Sequence, residues 1–344
     1  MNSARLSILM AAFGAKRIAV IGDYFLDRYL DYDSELAEVS LETGKTANQV
    51  VKVRHSPGAA GTVVCNLAAL GAGQIISIGF CGDDGEGYEL RQDLTRLGCV
   101  TEHLLVVPER YTPVYCKPRD IRVPGLEGEA ERYDTKNRLP LPEWVEEQLM
   151  ASLESVVETV DAVIVMDQVE EEDCGVVTGR VARKLTELAR THPQVVFWAD
   201  SRRRTGRLSG FITKANQYEA VSAVFPEHTG VVEDDIVVRA GWELSSRAGK
   251  PVFLTRGEQG MLVFDGESCH AVRGVRVSGD IDPTGAGDSA TAAAVLTLVS
   301  GGTPAEAALV ANLAASITVQ KIGTTGTAKP SELLPALDLW HAQA

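Results

Sequence analysis

Apolar and polar positions follow two different rhythms along this chain. Nearly continuous apolar runs recur at Arg17–Gly22, Ile75–Cys81, Ala162–Asp167 and Val195–Asp200. Between them, stretches such as Tyr88–Leu97, Glu143–Val160 and Cys174–Thr191 carry apolar residues at the spacing of a helix with one buried face. Buried strands separated by amphipathic helices predict a parallel sheet covered by helices on both faces. Val252–Phe264 reads as a hairpin turning at Gly257 and Gly260, Ala290–Val299 as a helix rich in small residues, and Ala307–Gly326 as another with a Gly-Thr loop behind it. Two regions break the rhythm. Residues 31–54 and 100–135 are strand-like, with Val100–Val107 and Thr112–Lys117 the clearest segments, and lack helical periodicity. The expected architecture is therefore α/β: a doubly wound, mostly parallel sheet in one domain over residues 1–344. Insertions near 31–54 and 100–135 are expected to form a small β-sheet lid.

Composition changes this picture little. With 45% hydrophobic and 23% charged residues the chain is an ordinary globular one. Its net charge of −14, from 33 basic and 47 acidic residues, argues against a nucleic-acid or anionic-membrane surface. Any bound anion must then be met by locally placed Arg, Lys or backbone amides. The six cysteines form no C-x-x-C pair and read as buried reduced thiols in a cytoplasmic protein. The N-terminal stretch through Arg17 has the faint outline of a signal peptide but is barely charged and runs straight into the first strand. It reads as a short helix packed on the domain. No apolar run is long enough to span a bilayer.

The candidate chemistry centres on Gly279–Gly301, G-D-I-D-P-T-G-A-G-D-S-A-T-A-A-A-V-L-T-L-V-S-G. It reads as a turn feeding a buried helix, with Asp282 or Thr284 available as a cap and Pro283 suited to the entry. The Gly285, Ala286 and Gly287 amides at a helix start make an anion site, because unpaired N–H groups and the helix dipole both favour negative charge. Asp288 would point into that site. A carboxylate beside a phosphate is electrostatically awkward, and abstracting a proton from an attacking hydroxyl gives it a reason to be there. Asp23, Asp27 and Arg28 follow the first strand, and Asp167 and Asp200 end later ones. Such strand ends are where open α/β sheets bind ligands.

The D-P-T-G-A-G-D run followed by a small-residue helix resembles the C-terminal signature of the ribokinase-like (PfkB) family of sugar kinases. G-D-x-x-L-D-R-Y at residues 22–29 looks most like its heptose-phosphate kinase branch, whose bifunctional members also carry an H-x-G-H motif; none occurs here. G-A-A-G-T-V-V-C-N, K-A-N-Q-Y-E and T-R-G-E-Q-G are similar to the family's other motifs, in the family's order. Ala59 stands where the second Gly of a pair is usual, and Thr62 where Asn is usual.

The resemblance implies Asp288 as catalytic base, with the Gly285–Gly287 amides holding the moving phosphoryl group. It places the sugar against Asp27 and the Gly58–Ala59 turn near Thr62. Asn216 and Glu219 would position magnesium through water, and Thr255, Gly257, Asp282 and Asn312 would flank ATP. It also implies a monovalent cation in some members and a lid that often pairs two subunits into a homodimer. The basic residues Arg28, Lys52, Arg54 and Arg202–Arg204 are the candidates for holding a phosphate already on the sugar. The resulting expectation is an ATP-dependent kinase of a small-molecule sugar or sugar phosphate, heptose 7-phosphate first among them, phosphorylated at the anomeric hydroxyl. The alternatives are another sugar or nucleoside of the family, or a binding protein that kept the fold and lost catalysis.

Overall fold

The computed structural model describes residues 1–323 and 325–343, apart from the side chain of Leu126. Thirteen strands form two sheets. In chain order these are β1 (Arg17–Gly22), β2 (Tyr24–Val39), β3 (Thr46–Ala59), β4 (Gln74–Gly82), β5 (Leu104–Val107), β6 (Val114–Asp120), β7 (Tyr133–Thr135), β8 (Ala162–Asp167), β9 (Val196–Ser201), β10 (Ile212–Asn216), β11 (Val252–Thr255), β12 (Met261–Asp265) and β13 (Ser268–Val272). The helices are α1 (Ser3–Phe13), α2 (Ala60–Leu70), α3 (Gly85–Arg96), α4 (Glu143–Val156), α5 (Gly179–Thr191), α6 (Gln217–Val224), α7 (Asp234–Ala248), α8 (Ala286–Val299), α9 (Pro304–Thr318) and α10 (Pro330–Ala342).

The large sheet runs β13-β12-β11-β10-β9-β8-β1-β4-β5. It is parallel from β5 through β11, and only the β11–β12–β13 end is antiparallel. Side chains of β1 explain why its sequence is apolar throughout. Ile18 and Val20 pack into the core shared with α2, α8 and α9, while Ala19 and Ile21 join the opposite core under α4 and α5. A strand buried on both faces has no polar side to show. The chain enters at β1, builds outward to β5, then crosses back to lay β8 on the other side of β1. That reversal opens a crevice at the carboxyl ends of β1 and β8, the usual ligand position in doubly wound sheets.

The smaller sheet, ordered β3-β2-β6-β7, grows from the end of β1, since only Asp23 separates β1 from β2. Its boundaries correct the sequence expectation. Leu104–Val107 pairs parallel with β4 and belongs to the large sheet, and Val100 forms only an isolated bridge to Ile76. The sequence could not separate these cases, because a short apolar strand looks alike in either sheet. The helix expected from Cys174 starts at Gly179, capped by the Thr178 side chain, and α3 starts at Gly85 rather than Tyr88. The N-terminal stretch is a helix, α1, burying Leu6, Leu9 and Phe13. All six cysteines are free; Cys269 is exposed, contrary to the expectation of uniformly buried thiols.

Candidate active site

Two clefts meet at the start of α8. The first, about 340 Å³, lies between the small sheet and the large one and is lined by Asp27, Ala59, Thr62, Thr284, Gly285 and Asp288, among others. The second, about 330 Å³, is walled by Met261, Val275, Val277 and Ile281 on one side and by Asn312 and Val319 on the other. Pro283 borders both; Gly285 and Asp288 face the first cleft, and Ala286, Gly287 and Ala290 the second. Each has the size of a small-molecule site.

The α8 start is built to expose amides. Neither Asp282 nor Thr284 caps it; the N-cap is Gly285, and no side chain caps the helix. Asp282 instead shapes the preceding loop, its Oδ1 accepting the Thr284 amide at 3.0 Å while its own amide donates to the Val319 carbonyl at 2.7 Å. Gly285 has φ 77°, a left-handed conformation, and a Cβ there would lie 2.9 Å from Thr325 Cγ2. The Ala286 amide donates to the Pro283 carbonyl at 3.2 Å, which corrects the expectation that it faces an anion, whereas the Gly287 and Asp288 amides have no partner among the described residues and remain free for one.

Asp288, on that first turn, lies partly buried where the clefts join. Loss of solvent and the neighbouring Asp200 carboxylate push its pKa up to about 7, against the pull of Lys214. Lys214 is buried, its ammonium 2.5 Å from Asp200 Oδ2. Burial disfavours its charge, but Asp200 and Glu219 outweigh that and raise its pKa, so it remains a standing cation beneath the α8 start. A Cβ on Gly287 would come within 3.2 Å of the Lys214 ammonium, so that turn packs directly on it.

In the first cleft, Asp27 is buried in β2, level with Ser56 of β3. Its Oδ2 accepts the Thr325 hydroxyl at 3.4 Å and lies 3.5 Å from Lys117 Nζ, whereas its Oδ1 is buried with no hydrogen-bond partner. Burial raises its pKa and Lys117 opposes the rise. An unpartnered buried carboxylate oxygen beside a polar cleft is an acceptor awaiting a hydroxyl. A Cβ at Gly58 would come within 3.1 Å of Asp27 Oδ1, so this turn packs closely on that carboxylate.

This geometry has known counterparts. Residues 139–331 match the model of the pfkB family of carbohydrate kinases. The chain belongs to that family. Among curated proteins, it is 30% identical to the bifunctional protein HldE of Hyphomonas neptunium, over 98% of this chain and 66% of that protein. It is 32% identical to HldE of Trichlorobacter lovleyi, over 94% and 63% respectively. The chain thus spans about two thirds of the length of these relatives. Its fold is also that of Escherichia coli phosphofructokinase-2 solved with fructose-6-phosphate (TM-score 0.67, 19% identity, 95% of this chain and 99% of that one). Arabidopsis thaliana ribokinase, solved with ribose and ATP, is equally similar (TM-score 0.68, 17% identity, 94% and 98%).

In this kinase fold not every residue singled out in the sequence reaches a cleft. Thr255, Gly257 and Asn312 line the second cleft, and Asn312 Nδ2 holds the carbonyls of Val272 and Arg273. Asn216 and Glu219 form a capping box on α6: Asn216 Oδ1 accepts two amides, and Glu219 Oε2 accepts the Asn216 amide at 2.8 Å. Arg28 points the other way from Asp27, as neighbours in a strand must. Its guanidinium pairs with Glu86 at 2.8 Å. Arg54 is spent on Asp31, at 2.9 Å, and on the Gly323 carbonyl. Lys52 is exposed on the outer stretch of β3. Arg203 pairs with Glu170 and Arg204 with Asp167, leaving Arg202 as the member of that run facing the first cleft. Lys117 and Arg132 also line it and were missed by sequence reasoning, because nothing in β6 or before β7 marks which side chains face inward. The loop behind α9, expected near a monovalent cation, includes residue 324, which lies outside the described residues.

Proposed function

We propose that this chain transfers the γ-phosphoryl group of ATP to a hydroxyl of a sugar or sugar phosphate, with the anomeric hydroxyl of a heptose 7-phosphate as the leading acceptor. One observation carries the reading: a desolvated carboxylate, Asp288, stands beside an uncapped helix start where two small-molecule clefts meet. The apolar second cleft suits a nucleotide base, and the first, with the open Asp27 Oδ1, suits a polyol. Asp27 would accept a sugar hydroxyl and orient its neighbour toward Asp288. Asp288 takes the proton of the attacking oxygen, and the α8 amides with Lys214 offset charge on the moving phosphoryl group. The heptose branch is supported by the G-D-x-x-L-D-R-Y wording and by the HldE relatives.

Magnesium fits the donor set in one way only. The capping box leaves Glu219 Oε1 free, and no group of three metal-ligating side chains converges among the described residues. That suits a cation that keeps its water shell and takes one carboxylate plus substrate phosphates. Glu219 would hold those waters, with Asn216 fixing its position, and a magnesium ion held there would supply charge neutralisation to the phosphates.

The small sheet would also pair with a second copy. Its hairpin exposes Leu36, Val39, Leu41, Val50, Val51 and Val53, and β3 is the longer of its two edge strands. No helix among the described residues is long and apolar enough to cross a membrane.

ATP turnover measured across sugars and sugar phosphates tests the reading, with Asp288→Asn as its control. Turnover should fall by at least roughly 10²-fold in that variant, the scale of losing a general base, while nucleotide still binds. Near-wild-type turnover would remove Asp288 from its role.

A further inference from the structure

One wall of the second cleft has no sheet to hold it. β13 ends at Val272, and residues 273–277, which include the cleft-lining Gly274, Val275 and Val277, belong to no strand or helix. Backbone groups outside a ladder need partners from elsewhere. Three side chains supply them here. Asn312 of α9 donates both hydrogens of its amide, to the Val272 carbonyl at 3.0 Å and to the Arg273 carbonyl at 3.1 Å. Trp340 of α10 donates its Nε1–H to the same Arg273 carbonyl at 3.0 Å. Gln343, just past α10, closes a reciprocal pair with Arg276, accepting its amide at 2.9 Å and donating to its carbonyl at 2.8 Å.

The Arg273 side chain completes the clasp from the other direction. Its guanidinium lies 4.3 Å over the Trp340 ring and donates to the Trp340 carbonyl at 2.5 Å, so each residue holds the other's carbonyl. Both α10 partners lie 67 residues from the groups they meet, so the end of that helix runs alongside the wall in step with it. Elsewhere the segment is fitted backbone to backbone. A Cβ on Gly274 would come 2.4 Å from the Glu258 carbonyl, and one on Gly260 would come 2.2 Å from that of Val272. The wall thus packs on residues 258–260 with no side chain between, while the carbonyls of residues 272, 273 and 276 depend on Asn312, Trp340 and Gln343. Neither Trp340 nor Gln343 lines the cleft itself.

Resting on the reading of the second cleft as the nucleotide site, we propose that Trp340 and Gln343 are positioning residues for ATP. Through the backbone of Arg273 and Arg276 they fix the Gly274–Val277 wall, and so set nucleotide affinity without touching the nucleotide. A wall already in its binding shape need not be ordered when ATP enters; without the clasp, that ordering opposes binding. The sugar, held in the first cleft, is not served by the clasp.

Calorimetric titration of ATP into the full chain tests this, together with steady-state kinetics on whichever sugar or sugar phosphate it turns over. Trp340→Phe keeps a ring beneath Arg273 and removes only the Nε1–H, and Gln343→Ala removes the reciprocal pair. Both side chains are half-exposed, so the variants should fold. Each should weaken ATP binding by about 3- to 10-fold, the scale of one or two hydrogen bonds. The KM for ATP should rise in proportion, with kcat and the KM for the sugar within about 2-fold. Hydrogen exchange of residues 272–280, measured without nucleotide, should quicken in both. Glu332→Gln weakens the pair with Lys321 at the start of the same helix, at 3.0 Å, and serves as control. It should lower thermal stability while leaving ATP affinity within about 2-fold. Parent-like ATP binding by Trp340→Phe and Gln343→Ala overturns the proposal and leaves the kinase reading intact. The same holds if Glu332→Gln weakens ATP as much as they do, since general loosening of α10 would then explain the effect. The expected losses of ATP affinity in a chain with no turnover on any sugar would uphold the proposal and sink the kinase reading. A parent chain that binds no ATP sinks both.

Discussion

Asp288 illustrates how a single side chain acquires a role from its surroundings. In water an aspartate is a weak base; here desolvation and Asp200 carry its pKa to about 7, where it can both take and release a proton. As the base we propose, Asp288 must be ionised to act, so kcat/KM should rise with pH and level off above about 7, a limb that Asp288→Asn should lose. Stability should move the opposite way. The folded carboxyl keeps its proton to about pH 7, whereas the unfolded one releases it near pH 4. Between those values the folded state binds more protons, so this contribution is full below about pH 4 and lost as pH rises through about 7. Asp288→Asn should therefore gain thermal stability over the parent at about pH 8, with the gap closing toward about pH 5; melting curves with a gap independent of pH would contradict the assignment. Ala59 shows a different cost. It sits at φ 52°, ψ −117°, a conformation open to glycine and strained for any residue with a Cβ. Ala59→Gly should raise the unfolding free energy by about 1 kcal/mol in denaturant titrations, the relief of strain exceeding the added chain entropy.

At the scale of elements, two helix starts divide the work. No side chain caps the α8 start, while α6 is closed by the Asn216–Glu219 box. A box of this kind accounts for an N-x-x-E pattern by itself, which makes a substitution that separates capping from catalysis informative. Asn216→Ser keeps a competent cap, so stability should change by less than about 0.5 kcal/mol. If Asn216 also orients Glu219 toward the waters of magnesium, the KM for Mg-ATP should rise about 10-fold, the scale of losing an outer-shell partner. A variant with unchanged KM would reduce the motif to a helix cap.

For the whole molecule, the small sheet is the part whose surface is unfinished. Leu41 is fully open at 99% exposure and Val39 at 68%, and the β2–β3 hairpin projects with a free edge. Pairing with a second copy would cover both. Light scattering should then give a dimer at micromolar concentration, and Val39→Glu with Val51→Glu should shift it to monomer without loss of the fold. A parent chain that runs as a monomer under those conditions would refute the pairing. Such pairing would also hold the hairpin over the acceptor cleft, so the monomeric variant should show a higher KM for the sugar than for ATP.

Periodicity along the chain was enough to predict the parallel core, because a strand buried on both faces must be apolar throughout, as Ile18–Ile21 is. The helix start that carries Asp288 was equally legible, since Gly285, Ala286, Gly287 and Asp288 are neighbours in sequence and their turn is local backbone geometry. Charge balance was not. Whether an arginine is free depends on which carboxylate folds back to meet it: Arg28 is claimed by Glu86 of α3, Arg54 by Asp31 across a hairpin, and Arg204 by Asp167. Those partners are 58, 23 and 37 residues away, distances at which a sequence carries no pairing signal. Lys117 and Arg132 enter the acceptor cleft for the same reason, placed there by how β6 and β7 pair beside β2. Local sequence determined the glycine turn and the helix start that carries Asp288; only the packing of one sheet against the other decided which cations line the cleft beside it.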